Sequence, residues 1–231
     1  MTWVERIRVL HIAAGFTALA VFWLPMVARK GGRVHRRAGW IYVVAMGVVA
    51  ITAVVVCGAR ILFDGPEVRA RSLFLLFISI LAATAAASGV RALREKQRAG
   101  STRKIINLGL PTLLLVSSAA ISLYGLHLGS ILFTVFGAIG FLSSGSQLFY
   151  WLRPPQSRMH WWFAHMGGMV GSSIATLTAF VVVNAPRLGI ASFSILPWVA
   201  PGVVGAIGLN FWIRYYQRKF ATPRREKALA A

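Results

Sequence analysis

Gly125-Leu126-His127-Leu128-Gly129-Ser130 interrupts an apolar run, residues 105–152, that contains no Asp, Glu, Lys or Arg. The run is more than twice the roughly 20 residues that one helix needs to cross a bilayer. It therefore reads as two spans, residues 105–126 and 130–152, turned at Gly125, His127, Gly129 and Ser130. Working outward, five more runs of membrane length lie between charged clusters: residues 7–28, 38–63, 72–93, 160–184 and 191–212. The expected fold is an all-α polytopic transmembrane bundle of seven helices in one domain, residues 1–213, with a basic tail, 214–231. A re-entrant hairpin at 125–130 would lower the count to six.

Composition agrees. Of the 231 residues, 57% are hydrophobic and 13% charged, where a soluble domain carries about 25% charged residues. The 25 Lys and Arg against 5 Asp and Glu give a net charge of +20. Such a balance on a soluble chain would suggest nucleic acid. Here a membrane-length segment separates each basic cluster from the next, which excludes that reading and points to topology instead. Arg29, Lys30, Arg33, Arg36 and Arg37 follow the first span. Arg94, Lys96, Arg98, Arg103 and Lys104 follow the third, Arg153 and Arg158 the fifth, and Arg214, Arg218, Lys219, Arg224, Arg225 and Lys227 the seventh. The intervening loops are poor in Lys and Arg, so the amino terminus is expected outside and the carboxyl terminus in the cytoplasm of a bacterial inner membrane. Ala18-Leu19-Ala20 has the look of a signal-peptidase site, but the apolar run continues through Leu24, and a retained helix is expected.

Packing signals accompany the spans. Gly167 and Gly171 form a GxxxG pair, and Ala82 to Gly89 gives the third span a small-residue face. Pro197 and Pro201 are expected to bend the seventh. Trp151, Trp161, Trp162, Trp198 and Trp212 lie near span ends, where indoles favour the interface. The lone Cys57 excludes an internal disulfide and reads as a small buried hydrophobe. Ser143, Ser144, Ser146, Gln147, Asn107 and Asn210 read as groups bonding between helices or lining a solute path.

Chemistry has few residues to draw on. All five acids (Glu5, Asp64, Glu67, Glu95 and Glu226) fall at span ends, loops or the tail. Paired-carboxylate catalysis and proton-coupled transport through an embedded carboxylate thus lack their groups, and no GxSxG or phosphate-cradling glycine loop occurs. Histidine remains. His11 and His165 lie inside spans, and His35, His127 and His160 at span edges. These are the candidate haem, metal or quinone ligands. His11 is expected four residues deep from the outer face, about 6 Å, and His165 five residues from the inner face, about 8 Å. Depth then allows His11 with His127, and His165 with His35 or His160. Met169, four residues beyond His165, shares its helix face. The loop Arg29, Lys30, Gly31, Gly32, Arg33, His35, Arg36, Arg37 is the densest polar feature. It reads as a topology signal with a turn, or as a contact for anionic lipid.

His11-x-x-x-Gly15, Lys30-Gly31-Gly32, His35-Arg36-Arg37-x-Gly39-x-x-Tyr42, and His165 followed by Ile174-Ala175-x-Leu177-x-Ala179-Phe180 and Asn184 together resemble an uncharacterised bacterial family of multi-pass membrane proteins, the domain of unknown function 2306 type. The resemblance implies a helical membrane protein and singles out His11, His35, Arg36 and His165; it implies no activity. Three functions compete: a bundle binding haem or quinone for membrane electron transfer, a small-solute transporter with a cavity at the serine-rich fifth span, and an accessory or assembly subunit held to other membrane subunits by a solid bundle.

Overall fold

The computed structural model describes residues 2–97, 105–155, 157–190 and 194–229, with side chains of the last helix described to Ala221. Arg98, Arg103 and Lys104 lie outside the described residues, as do the side chains of Arg224, Arg225 and Lys227. The described chain is helical: α1 Trp3–Val21, α2 Trp23–Val27, α3 Arg33–Phe63, α4 Pro66–Arg94, α5 Ile105–His127, α6 Ile131–Leu152, α7 His160–Asn184 and α8 Ile195–Leu229. Counting α1 and α2 as one span, seven helices are long and apolar enough to cross a membrane. This is the architecture of a multi-pass membrane protein. The hairpin at 125–130 joins two full helices, so the count is seven. Gly129 takes φ +64° there, a left-handed turn that a side chain would strain.

Helix ends depart from the apolar runs for identifiable reasons. Thr2 and Glu5 form a capping box, in which the Glu5 N–H donates to Thr2 Oγ1 at 3.3 Å and the Thr2 N–H donates to Glu5 Oε2 at 2.7 Å. The first helix therefore starts at Trp3. His11 lies eight residues inside it, roughly 12 Å from its start. Arg33 to Arg37, expected as loop, are the first turns of α3. The real loop is only Ala28 to Gly32, where Gly31 at φ +76° makes the turn. Similarly, the tail from Arg214 continues α8. Pro197 occupies the first turn of α8, where no intrahelical donor is lost; Pro201, like Pro223, lies deeper in the helix.

α4 packs along α7 and α5 along α6, and α1 lies on α3. The glycines at these crossings set the distances. A Cβ on Gly168 would sit 2.6 Å from the Ala85 carbonyl oxygen and 2.7 Å from the Gly89 nitrogen. A Cβ on Gly89 would meet the His165 carbonyl oxygen and the Met169 nitrogen at 3.2 Å. Gly167 has open space, and Gly171 only an ordinary contact at 3.9 Å. The crossing thus uses Gly168 with Ala85 and Gly89, rather than the expected Gly167–Gly171 pair.

Two of the tryptophans expected at the interface are interior. Trp198 is 4% exposed and packs edge-on against Phe74 and Phe136, with Phe133 stacked on Phe74 at 4.6 Å. Trp151 is 2% exposed. Apolar runs report depth in the membrane but not which way a ring faces. Cys57 is buried and free. Asn107 does bond between helices: its Nδ2 donates to Glu95 Oε2 at 2.9 Å and its Oδ1 accepts from Arg91 Nε, while Arg91 also pairs with Glu95 at 2.5 Å.

Gly168→Ala is expected to push α7 off α4 and cost about 1–3 kcal/mol. Gly167→Ala should be neutral or slightly stabilising, since Ala is the better helix former. Thermal unfolding of both variants in detergent checks this; equal midpoints would mean that the crossing does not depend on Gly168.

Candidate functional site

α2 ends at Val27, which leaves its last carbonyls without helical partners. Lys30 turns back at Gly31 and donates to Pro25 O at 2.9 Å and Met26 O at 2.5 Å. Its ammonium caps the negative end of the short helix. Burial holds that ammonium below the usual lysine range. His35, in the first turn of α3, adds a second donor: its Nδ1 lies 3.1 Å from Pro25 O. A carbonyl oxygen only accepts, so Nδ1 carries the proton and the Nε2 of a neutral ring keeps a lone pair.

His165 is held in the same way. Its Nδ1 donates to Gly89 O at 3.0 Å across the α4–α7 crossing. The bond is possible because Gly89 and Gly168 let the two backbones approach. Its Nε2 is left as an acceptor by the same reasoning. The His35 and His165 ring centroids are 6.3 Å apart, with planes at 66°. Both rings line one cavity between α2, α3, α7 and α8. It has about 80 Å³ of water-sized space, and about 630 Å³ of empty volume counting its open mouth. Phe22, Met26, Met166, Met169, Trp162 and Trp212 make it apolar, while Lys30, Tyr42 and Ser173 add polar groups. Tyr42 is 1% exposed, and its hydroxyl donates to Ser172 Oγ at 2.8 Å and lies 3.2 Å from Thr176 Oγ1.

The other histidines are placed differently. His160 Nε2 donates to Lys96 O at 2.9 Å, so its Nδ1 accepts from the Tyr150 hydroxyl, also at 2.9 Å. Both nitrogens are committed, and the ring clamps α6, α7 and the end of α4 together. His11 Nδ1 lies 2.9 Å from Thr52 Oγ1, whose own hydrogen goes to the Val48 or Val49 carbonyl. His11 therefore donates to α3 and is not brought to His127, which is exposed at the end of α5. Of the pairings that depth allowed, the structure makes His35 with His165. Among the described residues no group of three His, Cys, Asp or Glu could hold a metal ion.

Arg29, Arg33, Arg36 and Arg37 are exposed, and only Lys30 of that cluster turns into the bundle. The serines of α6 bond along their own helix: Ser144 to Phe141 O at 2.9 Å and Ser146 to Ser143 O at 2.8 Å. None of them lines the cavity. Asn210 likewise donates to Ala206 O of its own helix.

Trp162, Tyr42, Met166 and Ser173 were not singled out as site residues by the sequence. One signal was available on α7: His165, Met169, Ser173 and Thr176 recur at helical spacing along one face. Nothing comparable marks Trp162, which reads as an ordinary interface indole. No protein family, curated protein or solved structure matches this chain.

The hydrogen-bond partners predict opposite tautomers. In protein without added ligand at mildly alkaline pH, ¹⁵N NMR of histidine-labelled samples in bilayers should show Nδ1–H for His35 and His165 and Nε2–H for His160. An Nε2–H signal from His165 would show that its Gly89 bond does not form.

Proposed function

We propose that this protein is a haem-binding component of membrane electron transfer in a bacterial inner membrane, with His35 and His165 as the axial pair. The observation that carries the reading is the shared geometry of the two rings. Each gives its Nδ1–H to a backbone carbonyl, the arrangement that usually orients a metal-bound imidazole. Each keeps an Nε2 lone pair, and 6.3 Å separates their centroids. Two imidazole–metal bonds of about 2 Å, plus the ring radii, would give centroids roughly 6 Å apart where both Nε2 atoms point at the metal. The enclosed water-sized space of about 80 Å³ is small beside the roughly 300–1,000 Å³ typical of small-molecule sites, so haem would sit partly in the open mouth of the cavity. The apolar lining suits a flat macrocycle, and Lys30 supplies a cation at the site. Held between two imidazoles, haem iron supplies one-electron transfer. The chain's part is to fix both rings and keep the surroundings apolar.

The features that would favour the other readings point elsewhere. A transporter was expected to open a cavity onto the serines of α6, and this cavity includes none. An accessory subunit was expected to have a solid bundle. A quinol could give hydroxyl hydrogens to the same two lone pairs, and the optical test below separates it from haem. The likeness to the domain of unknown function 2306 type belongs to the proposal as well, as does the orientation: amino terminus outside, with the basic loops and carboxyl terminus in the cytoplasm facing anionic lipid.

Detergent-purified protein, supplied with haem, should show a Soret band of a low-spin, six-coordinate iron. His35→Ala and His165→Ala should lose that spectrum, while His11→Ala, His127→Ala and His160→Ala keep it. A colourless, iron-free preparation after haem supply would sink the reading. Orientation has its own check: a fluorescent protein fused after Ala231 should fluoresce, and a periplasm-dependent phosphatase at the same place should be inactive.

A further inference from the structure

Trp162 lines the cavity, and its indole Nε1–H is buried with no acceptor among the described residues. A buried donor left unpaired is destabilising. Its ring is fixed by edge-on contacts with Tyr216 at 5.3 Å and Phe220 at 5.8 Å, so it is not easily turned towards another partner. Lys30 lines the same cavity. An ammonium has three donors, and the Pro25 and Met26 carbonyls take two, leaving one. Its Nζ also lies 5.2 Å from the centroid of Trp212, another lining residue. Among the described residues no Asp or Glu lines the cavity. Its electrostatics are therefore those of a site for an acidic, not a cationic, ligand.

We infer that Trp162 Nε1–H and the remaining Lys30 ammonium hydrogen receive a carboxylate of the bound ligand. The inference rests on the haem reading and deepens it: the carboxylate is a haem propionate, and these two side chains anchor the cofactor by its acid edge while His35 and His165 hold the iron. Trp162 and Lys30 are then positioning residues that act on retention and orientation of the ligand rather than on the reacting atom. An apolar quinone offers no acid group to either donor.

Two comparisons test it, both read by Soret absorbance and by the rate at which apomyoglobin strips the haem. In the first, Trp162→Phe keeps an aromatic side chain but removes the N–H together with the pyrrole half of the indole; it should lose haem roughly tenfold faster or more, with the Soret position unchanged. In the second, wild-type protein is offered haem dimethyl ester, which keeps the macrocycle and iron but lacks the free acids, and it should bind at least tenfold more weakly than haem. The second arm needs no variant to fold. Equal retention in either comparison overturns the carboxylate assignment while leaving the axial histidines standing. Failure of wild-type protein to bind haem at all ends both proposals.

Discussion

The α4–α7 crossing is the constraint on which the cavity depends. Lipid offers helices no hydrophobic drive to associate, so they hold together by close packing and by polar bonds between them. Gly168 and Gly89 supply both at one place. Without side chains there, the α7 backbone comes within reach of α4, and one product of that approach is the His165–Gly89 bond. The same approach therefore positions His165 opposite the first turn of α3. A methyl group at Gly168 would act on the cavity through geometry, although Gly168 is not among its lining residues.

A second constraint comes from the ends of helices. α2 is five residues long and stops with its carbonyls unpartnered. Lys30 and His35 both turn to those carbonyls, which draws the loop and the first turn of α3 into the bundle. Lys30 is thereby separated in role from the four arginines around it. Those arginines, on the loop and the first turns of α3, are exposed, whereas the half-buried ammonium is part of a folded site. Charge alone cannot distinguish the two, because the distinction lies in which residue can reach an unsatisfied carbonyl.

The sequence made the membrane fold legible and most of the site illegible, for physical reasons. Apolar length against a bilayer is a one-dimensional quantity, and seven runs of it could be read directly. Helix ends were read less well, since charged residues that leave the hydrocarbon can remain helical, as Arg33 to Arg37 do. The direction a side chain faces was not readable at all. Trp198 and Trp161 look alike in a list of span ends, yet Trp198 sits among Phe74, Phe133 and Phe136. Depth reasoning narrowed the partners of His165 to His35 or His160. It could not choose between them, because the choice is made by hydrogen bonds. Lys96 O and the Tyr150 hydroxyl take both nitrogens of His160, while Pro25 O and Gly89 O take only one nitrogen each from His35 and His165.

That difference in partners decides which histidines can act. An imidazole bonded on both nitrogens is a strut: it has no lone pair to offer without losing a bond that holds helices together. An imidazole bonded once, through Nδ1 to a rigid backbone carbonyl, is oriented without being used up. Two such rings lining one largely apolar cavity, with no carboxylate among its described lining residues, place two neutral acceptors at one site where a charge is costly to leave unpaired. Such a pair is best satisfied by something that takes both lone pairs at once. A metal centre with open positions along one axis does this, whereas a proton can be shared by both rings only at the cost of a buried charge. Lys30 weighs further against the proton, since it already places one positive charge at the cavity. The same positive charge favours a ligand that carries its acid groups with it.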